Sequence, residues 1–115
     1  MNVERILQLA DIIEVQPHVE VGADEGFNMA GWKHPCGTPS CIAGWAAKMS
    51  GEYDEDTGLG NMTAKLAREW MDLGIVQSDR LFTPILIPPL SNITPSQAAK
   101  TLRHLAHTGE VKWEL

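Results

Sequence analysis

Reactive side chains are concentrated in the run His34-Pro35-Cys36-Gly37-Thr38-Pro39-Ser40-Cys41. Thr38 before Pro39 is the pattern of a helix N-cap followed by the first helical position. That reading places Cys41 at the third helical position, near the partial positive charge of a helix N-terminus. A thiol in such a place can have its pKa lowered and become nucleophilic. A cysteine nucleophile also needs a base within hydrogen-bond reach. The histidines on offer are His18, His34, His104 and His107. No stretch of the chain is long enough to build a sheet that would present one of them. The residues therefore favour Cys41 as a buried structural thiol, with catalysis at Cys41 as the weaker alternative.

A metal centre is the second chemistry these residue types allow. His34, Cys36 and Cys41 are soft ligands close in sequence, and His104 or His107 could complete a tetrahedral set. The gap between the cysteines is not the usual two residues. On a helical wheel at about 100° per residue, His104 and His107 project roughly 200° and 140° from Leu102, away from the apolar face. His34, Cys36 and Cys41 are thus weak metal candidates, and no cofactor is expected. Asp54-Glu55-Asp56-Thr57-Gly58-Leu59 resembles a calcium loop only superficially. Leu59 stands where that loop needs glycine, and Lys65 where it needs the bidentate glutamate. Gly58-Leu59-Gly60 lacks the lysine and serine of a phosphate loop.

Two surfaces suggest binding. Lys100, Arg103, His104 and His107 form a basic stripe on the polar side of the last helix. The expected role of such a stripe is a solvated face, and the sharper reading is a docking site for an acidic partner or for a nucleic-acid phosphate. Leu81 to Leu90 is apolar but broken by Pro84, Pro88 and Pro89, which rule out a regular helix there. Within it, Ile85, Leu86 and Ile87 either cover the core or meet a partner. Cover is favoured, because large exposed apolar patches are rare on monomers.

The elements that must position these residues read as four helices. The first covers Asn2 to about Val15, with Val3, Ile6, Leu9, Ala10 and Ile13 on one face and Asn2 as N-cap. Residues 17–37 are irregular. Val19 and Val21 allow a short strand, and Phe27 and Trp32 should anchor the loop. The second helix runs from Thr38 to Ser50, is apolar all round, and should be central. The third runs from about Met62 to Leu73 with Met62, Leu66, Trp70 and Leu73 as its stripe, stopping at Gly74. The last starts at Thr94 with Gln97 completing a capping box, faces Ala98, Ala99, Leu102, Leu105 and Ala106 inward, and ends at Gly109. Residues 110–115 alternate charged and apolar types. They either add a short strand or dock Val111, Trp113 and Leu115.

Composition bounds the functions available. The chain has 115 residues, 43% hydrophobic and 21% charged. That suits one globular domain over residues 1–115 and argues against disorder. The net charge is −6, split between an acidic half over residues 1–60 and a near-neutral half over 61–115. An acidic surface repels phosphate backbones and anionic lipid, so nucleic acid and membranes are poor partners and another protein is the better one. No run of about 18 apolar residues exists to span a bilayer. No secretory signal is visible at Met1-Asn2-Val3-Glu4-Arg5, so a reducing cytoplasm is expected, where disulfides are rare. The oligomeric state is open.

The Cys-Gly step before an apolar helix is similar to a cysteine-peptidase signature, in which the nucleophile opens a buried helix. Over a longer span, Cys36-Gly37-Thr38-x-x-Cys41-x-x-Gly44-Trp45-Ala46 resembles a set of small bacterial and phage-associated proteins of unknown function. Phe27-x-Met29-x-x-Trp32, Leu81-Phe82, Ile93-Thr94-Pro95-x-x-Ala98-Ala99 and His104-Leu105-x-x-Thr108-Gly109-x-Val111-x-Trp113 extend the resemblance over most of the chain. It implies a bacterial, cytosolic protein and assigns no catalytic or ligand residue. The expected architecture is therefore mainly α: a four-helix single domain with a central apolar helix, long irregular loops and a possible short C-terminal strand. The expected function is a small non-enzymatic interaction protein, using Ile85, Leu86, Ile87, Lys100 and Arg103. The rival is a cysteine-dependent hydrolase or transferase working through Cys41.

Overall fold

Asn2 opens the first helix as anticipated: its side-chain oxygen accepts the Arg5 backbone N–H at 3.1 Å. In a computed structural model, residues 1–20, 26–30, 39–51, 60–84 and 90–113 are described. They form five α-helices: α1 (Val3–Glu14), α2 (Ile42–Met49), α3 (Gly60–Met71), α4 (Ile75–Phe82) and α5 (Pro95–Thr108). A 3-10 turn, Leu90–Asn92, precedes α5. The fold is mainly helical, but the expectation of four helices is corrected to five. The expected strands also fail: among the described residues there is no β-strand. Val19 takes part only in the backbone pairing around a single His18–Phe27 bridge, and residues 111–113 are not a strand.

The core is built mainly from two helix pairs, α1 against α5 and α2 against α3. Ile6, Leu9, Ala10 and Ile13 of α1 are fully buried. They meet the core with the α5 face of Ala98, Ala99, Leu102, Leu105 and Ala106. Each large aliphatic side chain so buried contributes about 1.5–3 kcal/mol. Val3, expected on the inner face, is 42% exposed. The α5 capping box is formed: Gln97 N donates to Thr94 Oγ1 at 3.1 Å, and Thr94 N donates to Gln97 Oε1 at 2.8 Å. Gly109 closes α5 in the left-handed conformation, φ +80°.

In the second pair, α2 brings Ala43, Ala46 and Ala47 inward, and α3 brings Thr63, Ala67 and Met71. The buried line of α3 is therefore rotated from the expected one. Leu66 and Trp70 are only half-buried at its flanks. Ala43, Ala46 and Ala47 on α2 and Thr63 and Ala67 on α3 are small, which suits close approach of the two backbones.

The fifth helix follows from how α3 ends. Asp72 adopts φ +55°, the left-handed conformation that usually falls to glycine. Leu73 N then bonds the Arg68 carbonyl at 3.0 Å, closing a Schellman-type turn. Gly74 is thus not the stop of α3 but the N-cap of α4. Gln77 serves that cap in place of a side-chain hydroxyl, accepting the Gly74 N–H at 3.0 Å. Its amide nitrogen donates to the Gly109 carbonyl at 2.8 Å, joining α4 to the end of α5. Ser78, Leu81 and Phe82 face the core. The tail docks without pairing: Trp113 Nε1 donates to the Arg80 carbonyl at 3.0 Å, with Val111 and Trp113 packed on the core.

The irregular segment is held by Asn28, which is 1% exposed. Its amide nitrogen donates to the Val19 carbonyl at 2.9 Å, and its side-chain oxygen accepts the Ala30 N–H at 2.8 Å. Its backbone pairs with Ser40, through Asn28 N to Ser40 O at 3.0 Å and Ser40 Oγ to Asn28 O at 2.8 Å. Phe27 is buried as expected. Trp32 lies outside the described residues.

Candidate functional site

Ser40 determines where Cys41 sits. Ser40 is drawn into the buried contact with Asn28, and the helix starts later than the Thr38-Pro39 pattern suggests. Cys41 is the N-cap of α2, with extended backbone (φ −94°, ψ 178°), and not its third residue. Its Sγ accepts the Gly44 N–H at 3.4 Å, the role usually taken by a serine or aspartate oxygen. The side chain is 3% exposed. Burial dominates its ionisation and pushes the thiol up to about 11. The Gly44, Ala43 and Cys41 backbone N–H groups pull the other way and are outweighed. The helix terminus is present, but desolvation of a thiolate costs more than these donors return.

His34 and Cys36, proposed as metal ligands, lie outside the described residues, as do Ile85, Leu86 and Ile87. His18 and His107 are exposed and His104 is half-buried. Among the described residues, no group of three or more His, Cys, Asp or Glu side chains is placed to hold a metal ion.

The basic stripe of α5 is also divided. Lys100 is exposed. Arg103 instead reaches across to α1, where NH2 donates to Asp11 Oδ1 at 2.9 Å and NH1 donates to Glu14 Oε2. The guanidinium holds the Glu14 carboxyl below the usual glutamate range, and the two carboxylates raise the Arg103 pKa in turn. Arg103 therefore fastens α1 to α5, and its charge is largely offset there.

Two further features come with α4. Ile75 and Val76, in its first turn, are 65% and 62% exposed. Between α3 and α4 lies a cleft of about 290 Å³ with Lys65 and Arg68 on one side and Ser78, Asp79 and Thr83 on the other. The signal available was the spacing of Ser78, Leu81 and Phe82, which fall on one helical face.

No family model, curated protein or solved structure matches this chain.

Proposed function

We propose that the protein is a small non-enzymatic interaction protein, bacterial and cytosolic in setting, whose partner is another protein. The observation that carries this reading is the Ile75–Val76 pair. Two adjacent aliphatic side chains more than three-fifths exposed, at 65% and 62%, stand at the start of a helix whose opposite face is buried. Adjacent exposed aliphatics are what a hydrophobic contact at the centre of an interface uses. Val3 and Leu7 on α1, 42% and 41% exposed, add apolar surface on the helix tied to the end of α3 through Asn2 N and the Met71 carbonyl. The Ile85-Leu86-Ile87 run and Lys100 are further contact candidates, with Arg103 contributing mainly through its link to α1. The bacterial, cytosolic setting rests on the resemblance around Cys41. No described helix is long and apolar enough to cross a membrane, which agrees with a partner away from the bilayer.

The test is capture from a bacterial lysate with the wild-type chain and with Ile75→Ser/Val76→Ser. A partner held by the wild type and lost from the double variant, with the fold unchanged by circular dichroism, is the expected result. Equal capture by both would remove these residues from the interface.

A further inference from the structure

The walls of the α3–α4 cleft have opposite hydrogen-bonding character. On the α4 side, Ser78 Oγ donates its one proton to the Ile75 carbonyl at 2.9 Å, and Thr83 Oγ1 donates its proton to the Asp79 carbonyl at 3.0 Å. A carbonyl oxygen can only accept, so these proton assignments are fixed. Each hydroxyl then has only lone pairs left for a ligand. The Asp79 carboxylate adds two more acceptor oxygens. On the α3 side, Lys65 and Arg68 offer donors only. Lys65 is held loosely, its Nζ 4.0 Å from exposed Glu69. Among the described residues, no ion pair spans the cleft. Half-buried Ala64 and the little of Phe82 that is exposed supply the apolar part of the lining.

We propose that this cleft binds a single apolar α-amino acid as its zwitterion. The ammonium lies against Ser78, Asp79 and Thr83, the carboxylate against Lys65 and Arg68, and the side chain on Ala64 and the edge of Phe82. A volume of about 290 Å³ is at the small end of ligand sites, which suits one amino acid better than a nucleotide or a larger cofactor. An anion alone leaves the acceptor wall unmatched, and a cation alone leaves the donor wall unmatched. A zwitterion satisfies both, through charge-assisted hydrogen bonds at each end. The cleft lining does not include Ile75 or Val76, so the two proposals are tested by different residues.

An amide-resolved NMR titration of the full chain with L-leucine tests it. Shift changes are expected at the cleft residues of α3 and α4. Two truncated analogues, 3-methylbutylamine and 4-methylpentanoate, should each bind the wild type at least about tenfold more weakly, having lost one charged end. Arg68→Gln should weaken leucine about tenfold while leaving the amine unchanged, and Asp79→Asn should weaken leucine similarly while leaving the carboxylate unchanged. The analogues act on the wild-type chain, so the conclusion does not depend on either variant folding. No shift at the cleft with leucine on the order of tens of millimolar, the weak limit of useful affinity, overturns the proposal. So does a carboxylate analogue that binds as tightly as leucine.

Discussion

Gly26→Ala should destabilise the protein far more than Gly109→Ala, although both glycines have positive φ. At Gly109, φ is +80° and an added Cβ meets nothing within 4 Å. Only backbone strain acts there, about 1–2 kcal/mol, against about 0.4–1 kcal/mol returned by a less flexible unfolded chain. The net loss is about 1 kcal/mol. At Gly26, φ is +112° and the Cβ would lie 2.7 Å from Val19 Cγ1 and 2.8 Å from the Pro17 carbonyl oxygen. That carbonyl also accepts the Phe27 N–H at 2.8 Å, so it cannot retreat without breaking the pairing that seats Phe27 in the core. Overpacking of this kind adds about 1–3 kcal/mol, for a total of about 2–4 kcal/mol. Urea unfolding followed by tryptophan fluorescence, with midpoints compared at unchanged slope, measures both variants. Adding Val19→Ala to Gly26→Ala should recover part of the loss, because it removes the side-chain clash but not the backbone one. A Gly26→Ala loss no greater than that of Gly109→Ala would refute the close approach of residues 17–19 to Gly26.

Iodoacetamide should alkylate Cys41 slowly in the folded protein. With the thiol at about 11 and an ordinary value of 9.0, the thiolate fraction at neutral pH falls about a hundredfold before burial restricts access. Peptide mapping by mass spectrometry isolates this site from Cys36, and labelling as fast as in urea would contradict its burial. Acid should loosen the α1–α5 contact. Because folding lowers the Glu14 pKa, its contribution is present above the ordinary value of 4.5 and is lost as pH falls through the lower folded value. Melting temperatures from pH 6 to about 3 should therefore fall more steeply for the wild type than for Arg103→Met, and parallel profiles would remove the pairing as a source of acid sensitivity. Gln77→Ala deletes both the acceptor for Gly74 N and the donor to the Gly109 carbonyl. It should cost about 1–3 kcal/mol in denaturant unfolding, and a neutral result would contradict the bridge between α4 and α5.

The ends of α1 and α5 were legible because their signals are local. Asn2, Thr94 with Gln97, and Gly109 each act on a backbone group within four residues, so sequence spacing alone identifies them. Three features depended on distant or atypical contacts. Thr38-Pro39 has the pattern of a helix start, but Ser40 pairs with Asn28, and that buried interaction between distant segments moves the cap to Cys41. Gly74 resembles a stop, but the left-handed residue that ends α3 is Asp72. The turn is then short enough for Gly74 to open another helix. On α3, the larger side chains suggested one stripe, whereas close approach to the alanines of α2 places Thr63, Ala67 and Met71 innermost. The site was less legible than the fold. The string around Cys41 points to a reactive thiol, but its ionisation depends on burial, which the local string does not encode. The cleft could not be read at all without α4.

The hooks on α4 also constrain the order of assembly. Gln77 is anchored to the Gly109 carbonyl and Trp113 to the Arg80 carbonyl, so part of the support for this eight-residue helix comes from some thirty residues further along the chain. A helix this short is marginal alone. During synthesis, α2 and α3 can leave the ribosome and begin to pack while α1 still lacks α5 and α4 lacks these partners, because residues 95–113 have yet to be made. The turn carrying Ile75 and Val76 is thus expected to consolidate late, when the tail arrives. In the finished protein it should be among the first segments to exchange its amide protons.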